Sequence, residues 1–254
     1  MRDFKKSNEW TIVETDFDPT ALLPQWEENV ERIYLTQPND QNVLPQDATY
    51  LTLKDIDLSK YKQQAHVGGI YKDFNQEQIN QIQVSKQADV MVLFYLLEDL
   101  FPKAVKRASW DYYEPRTLHD SSLSLSTHSV LACDIGDTEL GYQMFQKACG
   151  IDLSNDDPHS SDAGIHAASY GGLWQCVVYG FGGVRMLGGK LRIDPKLPEA
   201  WSKLSYTILW HGQKLAVTVT KDSVYIVNET HTKNVELVVK GKQYTLDQEL
   251  TVNL

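Results

Sequence analysis

The stretch Trp110–Ser124, reading WDYYEPRTLHDSSLS, gathers the side chains of this chain best suited to chemistry. Asp111 and Glu114 offer carboxylates, Arg116 and His119 offer basic groups, and Ser121 and Ser122 form a hydroxyl pair. Serine hydroxyls beside the free backbone N–H groups of a helix start make an anion site. Tyr112 and Tyr113 next to Glu114 suit a sugar, which presents apolar faces and hydroxyls in need of partners. A polar loop with a good helix cap would use the same residue types, and composition alone does not choose between the two.

The elements that must position these groups follow from local signals. Pro115 fixes its own φ and biases Glu114 away from helical geometry, so Glu114 is expected on a loop. Asp120 stands where an N-cap would, before an apolar-periodic run from Leu123 to Leu131. Helices are expected over about Ser121–Ala132 and Thr138–Ala148. Val90–Leu97 is apolar on every face, with Leu100 and Phe101 extending it to Pro102, and predicts an inner helix buried all round. Lys86, Gln87 and Asp89 lie at its N-terminal end, where polar groups would meet a cavity mouth. His166 lies near the start of the segment from Gly164 to Val184, which has no Asp, Glu, Lys or Arg. Its glycines, with Ser169 and Gln175, make it a poor membrane span and a better second inner helix. Plainer readings exist: Lys86 snorkels to solvent, Gln87 bonds locally, and His166 is a satisfied half-buried histidine.

A chain of 254 residues holds one large domain or two modest ones. The net charge of −10 argues against nucleic acid, whose binding needs clustered Lys and Arg. Cys133, Cys149 and Cys176 show neither disulfide nor zinc spacing and are expected as buried, reduced thiols. The opening residues lack the apolar core of a signal peptide, which makes the cytoplasm the expected location.

Asp18 and Pro19 read as N-cap and first residue of a helix carrying Leu22, Leu23, Trp26, Val30 and Ile33. Tyr34–Ala65 is a long connection of the kind that is functional or covers something. Val67–Phe74 reads as a glycine turn into a helix. Past Leu187 the pattern changes to the two-residue period of half-buried strands at Leu204–Trp210, Leu215–Thr220, Val224–Val227, Val235–Val239 and Tyr244–Leu246. The boundary is placed at Gly188-Gly189, giving a mainly helical part (1–187) and a small all-β part (188–254), for which a sandwich is expected.

Four blocks carry a family resemblance: KQADV at Lys86–Val90, YEPRT-x-HDSSLS at Tyr113–Ser124, GIHAAS-x-GG-x-WQ at Gly164–Gln175 and LPEAW at Leu197–Trp201. In order and wording the chain resembles the C-terminal half of glycoside hydrolase family 65, which contains maltose, trehalose, kojibiose and nigerose phosphorylases. Its overall wording is most similar to the maltose-acting members, with kojibiose, nigerose or trehalose as alternative substrates. The resemblance implies the C-terminal part of an (α/α) six-hairpin barrel followed by a small C-terminal β-sandwich.

It also implies inverting phosphorolysis: a carboxylic acid protonates the glycosidic oxygen while inorganic phosphate attacks the anomeric carbon from the opposite face, releasing β-glucose 1-phosphate and glucose. By resemblance, Ser121, Ser122 and His166 bind phosphate, and Lys86, Gln87 and Glu114 bind the sugar. No metal or organic cofactor is implied. The partners are a disaccharide and phosphate, with homodimerisation expected. The family's general acid lies in a block resembling DEYH-x-x-V-x-N, and this sequence contains no such block. Glu114 matches a binding position rather than the acid. The chain therefore reads as a C-terminal portion that needs the missing N-terminal part, or as a non-catalytic carbohydrate-binding remnant.

Overall fold

The computed structural model describes residues 19–63, 66–154, 157–160 and 164–254. The chain divides into two compact units at Thr36–Gln37. In the first, Pro19 opens a 3₁₀ turn that leads into α1 (Leu23–Arg32); Asp18, expected as its cap, lies outside the described residues.

The second unit begins with the long connection, which is itself core-forming. It contains a 3₁₀ turn at Tyr50–Thr52 and α2 (Ser59–Lys62), and buries Val43, Leu44, Tyr50, Leu58 and Tyr61. Gly68 adopts φ +75°, a left-handed conformation open to glycine, and turns the chain into the 3₁₀ segment Gly69–Lys72. α3 (Gln76–Ile79) starts with a capping box between Asn75 and Gln78.

α4 (Asp89–Leu96) departs from the expected inner helix. It buries Val90, Met91, Phe94 and Tyr95, but Leu96 and Leu97 are 51% and 44% exposed. The helix also stops before Pro102, at Leu97, whose φ of −120° and ψ of 44° leave helical space. An all-apolar helix is buried all round only when neighbours cover every face, and here one face lies open.

α5 (Lys103–Tyr113) starts at Pro102, and α6 (Ser124–Ile135) and α7 (Thr138–Ala148) form a tight antiparallel hairpin. Gly136, at φ +100°, ends α6, while its N–H and that of Asp137 both bond the Ala132 carbonyl. The helices touch through Ser129, whose hydroxyl donates to the Gly141 carbonyl at 2.8 Å. α8 (Ala167–Gln175) widens into a π-helical segment at Cys176–Phe181. Gly172 lets α8 reach α6: a Cβ there would stand 2.4 Å from Ser126 Oγ. Among the described residues no helix is long and apolar enough to cross a membrane.

Eight strands follow: β1 (Val184–Leu187), β2 (Lys190–Ile193), β3 (Lys203–Trp210), β4 (Gln213–Thr220), β5 (Ser223–Asn228), β6 (Val235–Val239), β7 (Lys242–Leu246) and β8 (Glu249–Asn253). They form two four-stranded sheets in the orders β1-β2-β6-β7 and β3-β4-β5-β8. The inward residues of both sheets share one core, which makes them a sandwich. His211-Gly212 and Lys240-Gly241 both take positive φ, the two-residue hairpin turn that matches strand twist. Gly188-Gly189, where composition places a boundary, forms the turn between β1 and β2, so the first strand lies on the helical side of it.

Helices and sandwich do not have separate cores. Tyr95, Val130, Cys133, Cys176, Val178 and Phe181 pack with strand residues such as Leu191, Leu215 and Val219. Trp201, from the LPEAW block, meets Phe181 at 4.9 Å, Tyr142 at 5.7 Å and Phe145 at 5.8 Å between ring centroids. Arg185 on β1 crosses the same junction, with Nε 2.8 Å from Glu98 Oε2 and one terminal nitrogen 2.5 Å from Asp134 Oδ1. Cys133 and Cys176 are buried, and burial pushes both thiols up to about 12. Cys149 is only half-buried, unlike the expectation for all three, because it lies at the end of α7.

Candidate functional site

Glu114 is helical rather than looped. It caps α5 with φ −56° and ψ −45° and opens a 3₁₀ turn, Glu114–Arg116. The steric bias of the following proline is overridden because Pro115 sits early in a turn, where its missing N–H is not needed. Tertiary partners then fix the side chain. Glu114 Oε2 lies 2.6 Å from His128 Nδ1, and Oε1 lies 3.1 Å from His119 Nε2. Lys62 on α2 donates to the Glu114 carbonyl at 2.6 Å and brings its ammonium 3.7 Å from Oε1. Burial would raise this carboxyl, but hydrogen bonds from His119 and His128 outweigh it and hold the group well below the usual carboxylate range.

Two oxygens bound by two imidazoles define the tautomers. An ionised carboxylate only accepts, so His128 carries its proton on Nδ1 and His119 on Nε2. His119 Nδ1 then accepts from the Ser124 hydroxyl, 2.9 Å away. His128 is fully buried, its ring packs 5.3 Å from Trp110, and its Nε2 has no hydrogen-bond partner among the described residues. Burial lowers its basicity more than the Glu114 bond raises it, so the ring is held neutral. The ligand atoms of Glu114, His119 and His128 fall within 4.8 Å of one another, a donor set compatible with a transition metal. The hydrogen bonds just described already use both carboxylate oxygens.

The expected phosphate residues come together differently from the cap that sequence suggests. Asp120 does not cap α6: its carboxylate accepts from the Gly68 backbone N–H at 2.9 Å, a tertiary use that no local signal reports. α6 begins three residues after Ser121, and the Ser121 hydroxyl accepts from the Leu123 N–H at 3.3 Å. The Ser122 carbonyl accepts from the Ser169 hydroxyl of α8 at 3.2 Å, which ties the serine pair to the first turn of α8. His166 stands at the cap of that helix. Asp152 accepts from the His166 backbone N–H at 2.5 Å and from its Nδ1 at 2.7 Å. The Asp152 side chain is 5% exposed and that of His166 33%, so the ring is anchored from within.

Lys86 and Gln87 are both exposed at the start of α4. The residue before them, Ser85, bridges Thr117: the Ser85 N–H donates to the Arg116 carbonyl at 2.9 Å and the Leu118 N–H to the Ser85 carbonyl at 2.8 Å. This main-chain pairing lays the Lys86-Gln87 segment beside the one between Glu114 and His119. Asp111 and Arg116 have other partners. Asp111 pairs with Arg107 one helical turn away, and Arg116 pairs with Asp55 while stacking 4.0 Å over the Tyr112 ring. Tyr113 is fully buried, its hydroxyl donating to the Leu44 carbonyl at 2.9 Å.

Sequence reasoning missed Lys62, His128 and Asp152. Each lies on a different element from its partner, and only the HxxxxSxxxH spacing of His119, Ser124 and His128 hints at a shared helix-start cluster.

The chain belongs to glycosyl hydrolase family 65. The family's central catalytic domain matches residues 3–175 and its C-terminal domain residues 184–246. The chain is 41% identical over 234 residues to a kojibiose phosphorylase of Halothermothrix orenii, covering 91% of this chain and 30% of that protein. A maltose phosphorylase of Bacillus subtilis is 30% identical over 207 residues, covering 80% of this chain and 26% of that protein. A solved candidate kojibiose phosphorylase from the human microbiome superposes with a TM-score of 0.81 at 28% identity, covering 91% of this chain and 30% of that one. The chain thus spans about a third of the length of these relatives.

Proposed function

We propose that this chain forms the phosphate-binding side and part of the sugar-binding side of a disaccharide phosphorylase. In the reaction, a phosphate oxygen forms a bond to the anomeric carbon as the glycosidic C–O bond breaks. The departing oxygen takes a proton from a carboxylic acid, and inversion gives β-glucose 1-phosphate and a free sugar. Ser121, Ser122 and His166 receive phosphate; Lys86, Gln87 and Glu114 receive sugar hydroxyls. Kojibiose is the preferred substrate on this reading, because the identity to a kojibiose phosphorylase exceeds that to a maltose phosphorylase. Trehalose follows on the same measure, with maltose, favoured by the wording of the sequence, and nigerose after it.

The observation that carries the reading is the tie from Ser122 to Ser169, with His166 anchored by Asp152 at the cap of the same helix. The tie sets the Ser121-Ser122 pair beside the first turn of α8, where His166 and the free N–H groups of a helix start suit an anion. Glu114, ionised and hydrogen-bonded through both oxygens, is an acceptor and not the acid. The acid belongs to a further part of the enzyme, and Leu96, Leu97, Leu100 and Trp174 are exposed apolar surface for such a part to cover.

The test offers the purified chain kojibiose, maltose, nigerose and trehalose with phosphate, alone and together with the remaining portion of a family 65 enzyme. Glucose 1-phosphate is followed and its anomer assigned by NMR. Release only in the mixture supports the proposal and names the substrate. Release by the chain alone would overturn the assignment of the acid elsewhere. A folded chain that binds neither phosphate nor any disaccharide would overturn the binding roles.

A further inference from the structure

We propose that His119 and His128 are positioning residues that clamp Glu114, one imidazole to each carboxylate oxygen, so that it meets the sugar as a fixed, ionised hydrogen-bond acceptor. The proposal rests on the reading of Glu114 as a sugar contact and adds two residues to it.

The geometry has three independent parts. Both carboxylate oxygens are engaged by ring nitrogens, at 2.6 Å from His128 and 3.1 Å from His119. The two rings meet edge to face with centroids 4.7 Å apart, so each limits the rotation of the other. His119 also adopts φ +58°, a left-handed conformation uncommon for a residue with a side chain. Such strain persists only where the surroundings impose it. Here the His119 carbonyl accepts from His159 Nε2 at 2.8 Å and its ring is held by Ser124 at 2.9 Å, so the backbone is pinned on both sides.

The charges around Glu114 fit this role. Lys62 approaches Oε1 from α2, His119 from the loop before α6 and His128 from α6 itself; Trp110 of α5 presents only its ring to His128. No carboxylate partner competes among these contacts. His128 is buried with Nε2 unpaired, so a second proton there would place an unsatisfied N–H⁺ in an apolar wall. The clamp therefore works with His128 neutral, and an acceptor whose lone pairs are already oriented loses little freedom when a hydroxyl arrives.

The side-chain amide nitrogen of Asn stands near Nδ1 of histidine, and that of Gln near Nε2. His128→Asn and His119→Gln therefore keep the donors, while His128→Leu and His119→Leu remove them. The folded chain, labelled with ¹³C at glutamate carboxyls, is titrated by NMR, with Glu114→Gln assigning the signal. Wild type, His128→Asn and His119→Gln are expected to keep Glu114 ionised to the acid limit of the folded state. Each Leu variant is expected to shift its titration upward by about one pH unit or more, a tenfold change in proton affinity. An unchanged Glu114 titration in both Leu variants, shown folded by circular dichroism, would overturn the clamp. If a Leu variant does not fold, the wild type and the Asn and Gln variants still decide: a Glu114 that titrates in the ordinary carboxylate range in wild type or in both of these variants sinks the proposal. Disaccharide binding measured by calorimetry on the same proteins separates the two readings. A clamp seen by NMR with binding unaffected by Glu114→Gln leaves the clamp standing and rejects the sugar contact.

Discussion

Asp152 Oδ1 lies 2.7 Å from His166 Nδ1, and Asp152 itself adopts φ +63° to reach it. Aspartate tolerates the left-handed region better than most residues, so the loop after α7 can turn a carboxylate inward at this point. Removing it with Asp152→Ala frees the His166 ring and its backbone N–H together. Phosphate affinity of the chain, followed by ³¹P NMR titration, is expected to fall about tenfold, the scale of a hydrogen bond to a charged group. Unchanged affinity would separate His166 from phosphate binding.

Gly172 carries the contact between α8 and α6 that holds Ser169 against Ser122. An added methyl would meet Ser126 Oγ at 2.4 Å and Ser126 Cβ at 2.9 Å. Gly172→Ala is expected to destabilise the fold by about 1–3 kcal/mol through overpacking, and to weaken phosphate binding by moving α8 outward. Urea unfolding measures the first effect and the same phosphate titration the second. Ser126→Ala in the Gly172→Ala background should recover part of both.

Arg185 joins β1 to Glu98 and Asp134, and all three side chains are largely buried. Arg185→Ala leaves Glu98 to Arg192, and Asp134 to the Lys106 and Lys196 ammonium groups 3.9 Å away. The expected loss in urea unfolding is about 1.5–3 kcal/mol, the scale of hydrogen bonds to charged groups. Arg185→Ala combined with Asp134→Asn should lose less than the sum of the separate changes, since both remove the same ion pair.

His128 makes stability depend on pH with a definite sign. Burial lowers its folded-state basicity, so below the ordinary imidazole value of 6.5 the unfolded chain binds more protons than the folded one. Its contribution is fully present above that value and is lost as pH falls toward the depressed folded value. Glu114 adds a second loss further into acid, because its carboxyl is also depressed. Urea unfolding at pH 7.5 and 5.5 is expected to show the lower stability at 5.5, with His128→Asn reducing the difference. A slope that is the same in His128→Asn would remove His128 as its source.

The strands with a clean two-residue period, β3 to β7, were legible because one face of each is buried and the other is wet. β1 and β2 were not, since the glycine pair between them reads equally as a linker and β2 finds its parallel partner, β6, far along the chain. In the helical part, the regularity of α6 and α7 was plain from apolar spacing. The true start of α6 was hidden because Asp120 serves Gly68 rather than its own helix. Pro115 places Glu114 on a loop in the sequence reading; instead Pro115 sits early in a 3₁₀ turn, and two histidines met in space fix the Glu114 side chain. The residue types of the candidate site could be read from the sequence. Their partners, Lys62, His128 and Asp152, come from tertiary approach, and only His128 leaves a local hint, in its spacing from His119 and Ser124.

The hairpin through Gly188-Gly189 has a practical consequence for anyone dividing this chain. A cut there would leave β1 attached to the helices while β2, its antiparallel neighbour, departed with the other piece. The departing sheet would gain a raw edge at β2, and the helical piece would carry Phe181 and Val184 stripped of the strands that cover them. Such halves are expected to precipitate when expressed separately and to recover as a pair when co-expressed, with the severed hairpin acting as the seam that rejoins them.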